Sequence, residues 1–325
     1  MNNYKYKKVL VTGATGILGS WMVNSLRENN IEMLGIALDK SKNDLLDTMG
    51  LIDKFKLDYF DIANNEKINS YFEMNSFDIV FHLAAQTQVI DANNDPVKTF
   101  KSNIEGTWNI LEQCRKKDIP LVVASSDKAY GESTNLPYKE DHTLNGIYPY
   151  EVSKSITDLL CRTYKETYNI KISTLRCGNI YGGGDLNWDR LIPGVCKWLL
   201  NNEIPILRTD GSFKRDWVYV EDVVNAYLSV GNMLYDDSSK VSLSYNFAAD
   251  NCRSVIEVYN AISMEIKGEI VKPKFIIDSD TEIKDQYLDS TKIFEELKVK
   301  SIFSFEEGMA NTVEWYRNYF LKYLN

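Results

Sequence analysis

No stretch of the 325-residue chain comes near the ~18–20 consecutive apolar residues that a membrane-spanning helix needs. Its first residues, Met1 to Lys8, are polar and basic with no long apolar run behind them, which argues against a secretory leader. Basic residues are also in deficit: 37 Lys and Arg stand against 46 Asp and Glu, a net charge of -9. Nucleic-acid binders neutralise phosphates with clustered cations, so that class is excluded, although a local cationic pocket for a small phosphorylated ligand is not. The five cysteines (Cys114, Cys161, Cys177, Cys196 and Cys252) are odd in number and scattered, with no metal-type spacing. A reduced, cytoplasmic setting without disulfides or a bound metal is expected. Of only two histidines, His82 lies inside an apolar run and reads as a packed core residue, while His142 sits in a polar loop with no evident partner. No internal repeat, low-complexity tract or linker breaks the chain.

What is present is a succession of short apolar runs separated by amphipathic segments. Lys8 to Thr12, Met33 to Leu38, Lys56 to Phe60, Ile79 to Leu83, Leu121 to Ser125 and Lys171 to Arg176 read as strands. The segments between them read as helices: Ser20 to Asn29, one after Asn65, Pro96 to about Cys114, and one through Tyr150 and Lys154 to about Tyr168. This alternation predicts an α/β fold, a Rossmann-type doubly wound parallel sheet. From Cys177 onward the texture changes to glycine-rich loops and aromatic-cation pairs, then to polar helical segments. A division follows into a dinucleotide-binding domain over 1–178 and a smaller, partly interleaved substrate-binding domain over 179–325, with some segments crossing back.

The first strand leads directly into Gly13-Ala14-Thr15-Gly16-Ile17-Leu18-Gly19 and then a helix. That order puts bare backbone N–H groups and a helix N-terminus where a pyrophosphate can sit, and in this context dinucleotide binding outweighs a ligand-free glycine turn. The second strand ends at Asp39, 20 residues beyond Gly19, where such units place a carboxylate for the ribose hydroxyls at ~20 residues on. A carboxylate there repels a 2′-phosphate and favours NAD over NADP. Lys40 and Lys42 pull the other way, and a loop aspartate capping the next segment is the alternative. Asp61-Ile62 closes the third strand, where Asp61 either meets the adenine amino group or caps the next helix. Leu83-Ala84-Ala85-Gln86 follows the fourth strand, and its two alanines leave room for a flat ligand close to the backbone.

The fifth strand stops in Ser125-Ser126-Asp127-Lys128, and Tyr150 and Lys154 lie four residues apart, so on a helix they share one face. Downstream, Asn179 sits in a glycine-rich loop. Arg190-Leu191 and Lys214-Arg215-Asp216-Trp217 bring cations to aromatics, a composition suited to a diphosphate and a stacked base. Surface ion pairs are the plain reading for any one of these cations alone.

Taken together, Gly13/Gly16/Gly19, His82-Leu83-Ala84-Ala85, Asn103, Ser126, Tyr150 with Lys154, and Arg215-Asp216-Trp217-Val218-Tyr219-Val220-Glu221-Asp222 resemble the extended short-chain dehydrogenase/reductase family, in its sugar-nucleotide epimerase and dehydratase branch. The pieces span nearly the whole chain in the family's order. Gly19-Ser20-Trp21, Ala84-Ala85-Gln86, Ser126-Asp127-Lys128 and Gly178 to Asp185 most resemble CDP-glucose 4,6-dehydratases. The resemblance implies tightly bound NAD held by Gly13, Thr15, Gly16, Ile17, Leu18, Asp39, Asp61, Ile62, Leu83, Ala84, Ala85, Gln86, Asn103, Tyr150 and Lys154. It implies a nucleotide-diphosphate sugar bound by Gln86, Ser126, Asn179, Arg190, Leu191, Lys214, Arg215 and Trp217, with CDP or GDP linkage favoured and UDP or TDP open. Tyr150 is then the base for the 4-hydroxyl, supported by Lys154 and Ser126, and Asp127 the acid for the departing 6-hydroxyl. Lys128 stands where better-known dehydratases carry glutamate, as C5 base or as a cation that stabilises an enolate. The expected reaction is 4,6-dehydration, with epimerisation through the same oxidation as the alternative. A homodimer through the helices holding Asn103 and Tyr150 is implied as well.

Overall fold

The computed structural model describes residues 4–40, 44–249, 252–276 and 283–323. Its strands, in chain order, are β1 (Lys8–Thr12), β2 (Glu32–Ala37), β3 (Lys56–Tyr59), β4 (Ile79–His82), β5 (Leu121–Ala124), β6 (Ile172–Cys177), β7 (Asn179–Tyr181), β8 (Ile206–Leu207), β9 (Lys214–Tyr219), β10 (Ser244–Phe247), β11 (Cys252–Ser254), β12 (Lys274–Phe275) and β13 (Asp285–Gln286). Seven of them form one parallel sheet in the order β10-β6-β5-β4-β1-β2-β3. The order reverses between β1 and β4, and ligands of open parallel sheets bind at such a switch point, beyond the carboxyl ends of the strands.

Both faces of the sheet are covered, which is why its strands read as apolar runs rather than alternating ones. Val9, Val11, Phe81, Val122 and Leu175 point to one face, packed with the helices Ile17–Glu28 and Val220–Asp236. Leu10, Val80, Leu121, Val123 and Ile172 point to the other, under the helices Asn65–Met74, Gly106–Lys117 and Pro149–Tyr168. Each fully buried aliphatic side chain of this kind stabilises the fold by roughly 1.5–3 kcal/mol.

Strand limits read from the sequence shift by one residue at most. Two features depart further. The expected continuous helix from Pro96 is a short α-helix, Pro96–Phe100, then a π-helical turn, Lys101–Glu105, then a second α-helix, Gly106–Lys117. The sheet also gains a seventh strand, β10, which returns from beyond residue 179 to pair with β6. Its Ser-Tyr-Asn-Phe sequence is too short and polar to announce a buried strand. A smaller sheet of β11, β9, β13 and β7 stands over the carboxyl ends of the main one. Among the described residues no helix is long and apolar enough to cross a membrane.

Candidate active site

The turn after β1 is packed too tightly for any side chain. Gly13 has φ +71°, and a Cβ there would lie 2.7 Å from the Ala84 backbone nitrogen, so the β1 turn touches the end of β4 at the switch point. A Cβ on Gly19 would lie 2.1 Å from the Gly13 carbonyl oxygen. The helix Ile17–Glu28 therefore begins hard against the turn, and no side chain caps the N–H groups at its start. Thr15 and Ile17 are half-buried in this cradle and Leu18 is buried beneath it. Beside it, Asn103 accepts from the Gln86 N–H (2.7 Å) and donates to the Gln86 carbonyl (2.9 Å) and to Ser153 Oγ (2.9 Å). Asn103 lies in the π-helical turn, and the Thr107 and Thr157 hydroxyls donate to its carbonyl. Gln86 Oε1 is buried with no partner, an acceptor left for a ligand's donor.

His82 belongs to the same scaffold. Its ring bridges Thr12 Oγ1 (2.7 Å) and Thr107 Oγ1 (3.1 Å), and burial pushes it down to about 3, so it is a neutral core residue. His142 does have partners: its ring meets Tyr130 and Tyr138 edge-on. Asp39 is exposed just past β2, and the Lys40 ammonium lies 5.5 Å from the centre of the Tyr59 ring; Lys42 lies outside the described residues. Asp61 does not cap the helix after it. Asn64 does, accepting from the Lys67 N–H, while Asp61 accepts from Ala63 N–H (2.9 Å) and so closes the turn. The carbonyl of buried Ile62 is fixed by Asn109 (3.0 Å).

Ser126, Asp127, Tyr150 and Lys154 converge at the end of β5. The helix Pro149–Tyr168 opens with proline in its first turn and with the Glu151 carboxylate accepting from the Ile147 and Tyr148 N–H groups. Lys154 is buried, donates to the Ala124 carbonyl (2.8 Å) and lies 6.0 Å from the centre of the Tyr150 ring. Ser126 donates to Asp127 (2.9 Å), accepts from the Lys128 N–H (3.2 Å) and is hydrogen-bonded to the Tyr150 hydroxyl. Burial is the largest influence on Tyr150, Lys154 and Asp127. It raises Tyr150 to about 12, against the Ser126 hydrogen bond and the Arg190 charge, and lowers Lys154 to about 8, against the Asp158 carboxylate. It also raises the Asp127 carboxyl, although Lys128, Ser126 and Arg215 all oppose it.

The residues read as substrate contacts are distributed unevenly. Arg190 pairs with Asp185 (2.9 Å) and reaches Thr87 (3.4 Å), so it stands beside Gln86, with its charge felt at Tyr150. Leu191, half-buried, starts the helix Leu191–Leu200, and Asn179 on β7 pairs with Trp217 on β9. Strand alternation on β9 turns Lys214 out to solvent and Arg215 and Trp217 inward. The Arg215 guanidinium donates to the carbonyls of Lys214 (2.8 Å), Lys284 (2.7 Å) and Ile283, and the Trp217 indole donates to the Arg253 carbonyl (3.3 Å). Gln286 on β13 had no sequence signal. It is fully buried and donates to the Asp127 carbonyl (3.1 Å), 159 residues away. Asp158, one turn past Lys154, was likewise unread, although its spacing on the helix was visible. Among the described residues no cluster of His, Cys, Asp and Glu is arranged to hold a metal.

A doubly wound sheet with a glycine cradle at its switch point and a buried Tyr-Lys-Ser set beside it defines a dinucleotide-dependent enzyme that acts on a hydroxyl or carbonyl group. Residues 9–243 match the NAD dependent epimerase/dehydratase family. The chain belongs to that family, and NAD is its cofactor. Among relatives, it is 32% identical over 323 residues to a putative UDP-glucose 4-epimerase of Methanocaldococcus jannaschii, covering 95% of this chain and 98% of the relative. It is 32% identical over 259 residues to the CDP-glucose 4,6-dehydratase of Salmonella typhimurium, covering 76% and 72%. Among solved structures, a Thermotoga maritima UDP-glucose 4-epimerase with UDP-glucose superposes with a TM-score of 0.87 at 26% identity, over 96% of this chain and 99% of that one. A Bacillus anthracis dTDP-glucose 4,6-dehydratase in complex with NAD shares the fold, with a TM-score of 0.83 at 22% identity over 96% of each chain.

Proposed function

We propose that this chain is a nucleotide-sugar 4,6-dehydratase, which converts an NDP-hexose to an NDP-4-keto-6-deoxyhexose. The observation that carries the reading is Asp127. Its carboxyl is 3% exposed, hydrogen-bonded to Ser126, and raised by burial despite four opposing influences. Burial moves this carboxyl in the direction that a proton donor to a departing hydroxyl requires, and an epimerase, which expels nothing, has no use for such an acid.

Gly13, Gly16, the N-terminal turn of the helix at Ile17 and Asn103-held Gln86 would hold NAD, which when bound would supply a reversible store for the hydride of sugar C4. Tyr150 takes the 4-hydroxyl proton. Its phenol is a poor base in this dry site, so it depends on the Lys154 ammonium and on Ser126 turning its hydroxyl proton from Asp127 to the phenolate oxygen. The resulting 4-ketone would acidify the C5 proton, for which Lys128 stands as base or as the cation that stabilises the enolate, while Asp127 protonates the 6-hydroxyl. Return of the hydride to C6 and of a proton to C5 completes a reaction whose only loss is water. Arg190, beside Gln86, serves the diphosphate, and Asn179, Leu191, Arg215 and Trp217 shape the nucleotide site, while Lys214, exposed on β9, is left at its edge. CDP or GDP is the favoured nucleotide, and the working enzyme is a homodimer.

Incubation with CDP-, GDP-, UDP- and TDP-hexoses in deuterated water, followed by mass spectrometry, tests the reading. The expected product has lost water and carries deuterium at C5, because the proton that returns there has exchanged with solvent. An epimer that retains its 6-hydroxyl overturns the dehydratase reading and leaves the epimerase one.

A further inference from the structure

A buried polar cluster lies directly behind the Tyr150–Lys154 face. Asp158 is 3% exposed and sits one helical turn after Lys154, on the same side of the helix. Its carboxylate accepts from the Ser125 hydroxyl, the Thr174 hydroxyl (2.9 Å) and the Arg176 guanidinium (3.1 and 2.9 Å). Arg176 in turn donates to the Tyr130 hydroxyl (2.7 Å), which donates to Asn246 on β10 (2.7 Å). The cluster thus ties the catalytic helix to β5, β6 and β10. It meets β5 at Ser125, between Ala124, whose carbonyl holds Lys154, and Ser126, which bonds Tyr150.

We propose that Asp158 is a positioning residue of the oxidation step: it keeps Lys154 an ammonium and fixes the end of β5 from which Ser126 projects. The proposal rests on Tyr150 and Lys154 being the oxidising pair and holds for a dehydratase or an epimerase alike. On the Lys154 face of the helix Asp158 is the carboxylate, and its charge is shared with Arg176. On the same helix, Tyr150 is a neutral phenol and Cys161 a neutral thiol, both held protonated by burial. From β4, His82 is neutral. From β6, Arg176 is a cation already paired with Asp158. From the helix Val220–Asp236, Tyr227 is a neutral phenol. β5 contributes the Ala124 carbonyl.

The sign follows from the burial of Lys154, which lowers it to about 8, with Asp158 pulling it back up. A lowered lysine is an ammonium only below its folded value, so support for the phenolate is lost as pH rises through about 8. Asp158→Asn removes the opposing charge and moves that loss acidward by about one pH unit, which at pH 8 means about fivefold fewer charged Lys154 groups. Thr174→Val removes one hydrogen bond and leaves the carboxylate its charge, so the loss stays in place or moves to higher pH.

Nitrogen-15 NMR of lysine-labelled, NAD-loaded protein follows the Lys154 ammonium without substrate, and single-turnover C4 oxidation, read as absorbance of the reduced nicotinamide, follows its consequence. An acidward shift in Asp158→Asn with none in Thr174→Val is the expected result. An unmoved titration in a folded Asp158→Asn variant, or an acidward shift in Thr174→Val, overturns the proposal. If Asp158→Asn does not fold, Asp158→Ser takes its place, with the same acidward shift expected and an unmoved titration overturning the proposal. If wild-type protein oxidises no NDP-hexose, the parent assignment of Tyr150 and Lys154 fails, whatever the NMR titration shows.

Discussion

Two buried oxygen acids within one site are both pushed toward their protonated forms, and they serve opposite ends of the proposed reaction. Tyr150 must lose its proton, so it is surrounded by help: Ser126, Lys154 and the charge of Arg190. Asp127 must keep its proton, and its burial outweighs Lys128, Ser126 and Arg215. Asp127→Asn keeps the shape and hydrogen-bonding capacity of the turn while removing the transferable proton. Formation of reduced nicotinamide with the competent NDP-hexose should stay within about threefold of wild type, while water loss slows by roughly 100-fold or more, the usual share of a general acid. Product formation at the wild-type rate would remove Asp127 from its role. At this scale the sequence is most legible where chemistry is contiguous: Ser126-Asp127-Lys128 and Tyr150 with Lys154 are short patterns. Gln286 was not legible, because a lone glutamine becomes informative only once β13 is laid beside β9 and its amide meets a carbonyl 159 residues away.

Among elements, the glycine turn makes the sharpest physical demand. Gly19 and Gly16 appear equivalent in the sequence, yet an added methyl meets backbone at 2.1 Å on Gly19 and stands at ordinary contact, 3.4 Å, on Gly16. Backbone cannot swing aside as a side chain can, so Gly19→Ala forces the helix Ile17–Glu28 away from the turn. We expect Gly19→Ala to destabilise by about 2–4 kcal/mol and to be isolated without NAD, whereas Gly16→Ala, at the start of the helix, costs about 1 kcal/mol or less. Thermal unfolding and the nicotinamide content released on denaturation check both; equal losses would show that close packing is not what the third glycine serves. Strands were legible because burial on both sides forces apolar runs. The π-helical turn at Lys101–Glu105 was not, since one extra residue per turn leaves no compositional mark, although the Asn103 carbonyl within it accepts from two threonines. The return of β10 was hidden for another reason: its place beside β6 is fixed by the helix Val220–Asp236 that carries the chain back.

For the whole molecule, the helices that present Asn103 and Tyr150 to the site turn a second face outward, and that face is unusually apolar. Val97 is 62% exposed, Trp108 43% and Leu159 41%. Val97 and Trp108 belong to the helical run from Pro96 to Lys117, broken by the π-helical turn, and Leu159 to the helix Pro149–Tyr168 packed beside it. A large indole held in water costs free energy that a second copy of the same face recovers, because a two-fold interface sets each residue against its symmetry mate's neighbours. We expect two such pairs of helices to meet as a four-helix contact, since a stable complex typically buries ~800 Å² per partner. Asn103 and Tyr150 sit on the inner faces of these helices, so the proposed dimer would brace the site from behind without contributing a residue to it. The chain of 37.4 kDa should therefore sediment at about twice that mass at micromolar concentration. Leu159→Glu places a carboxylate at the centre of the contact and should give a folded monomer with unchanged far-ultraviolet circular dichroism and a lower unfolding temperature. A wild-type monomer sinks the proposed dimer, and a dimer that survives both Leu159→Glu and Trp108→Glu moves the interface elsewhere on the surface.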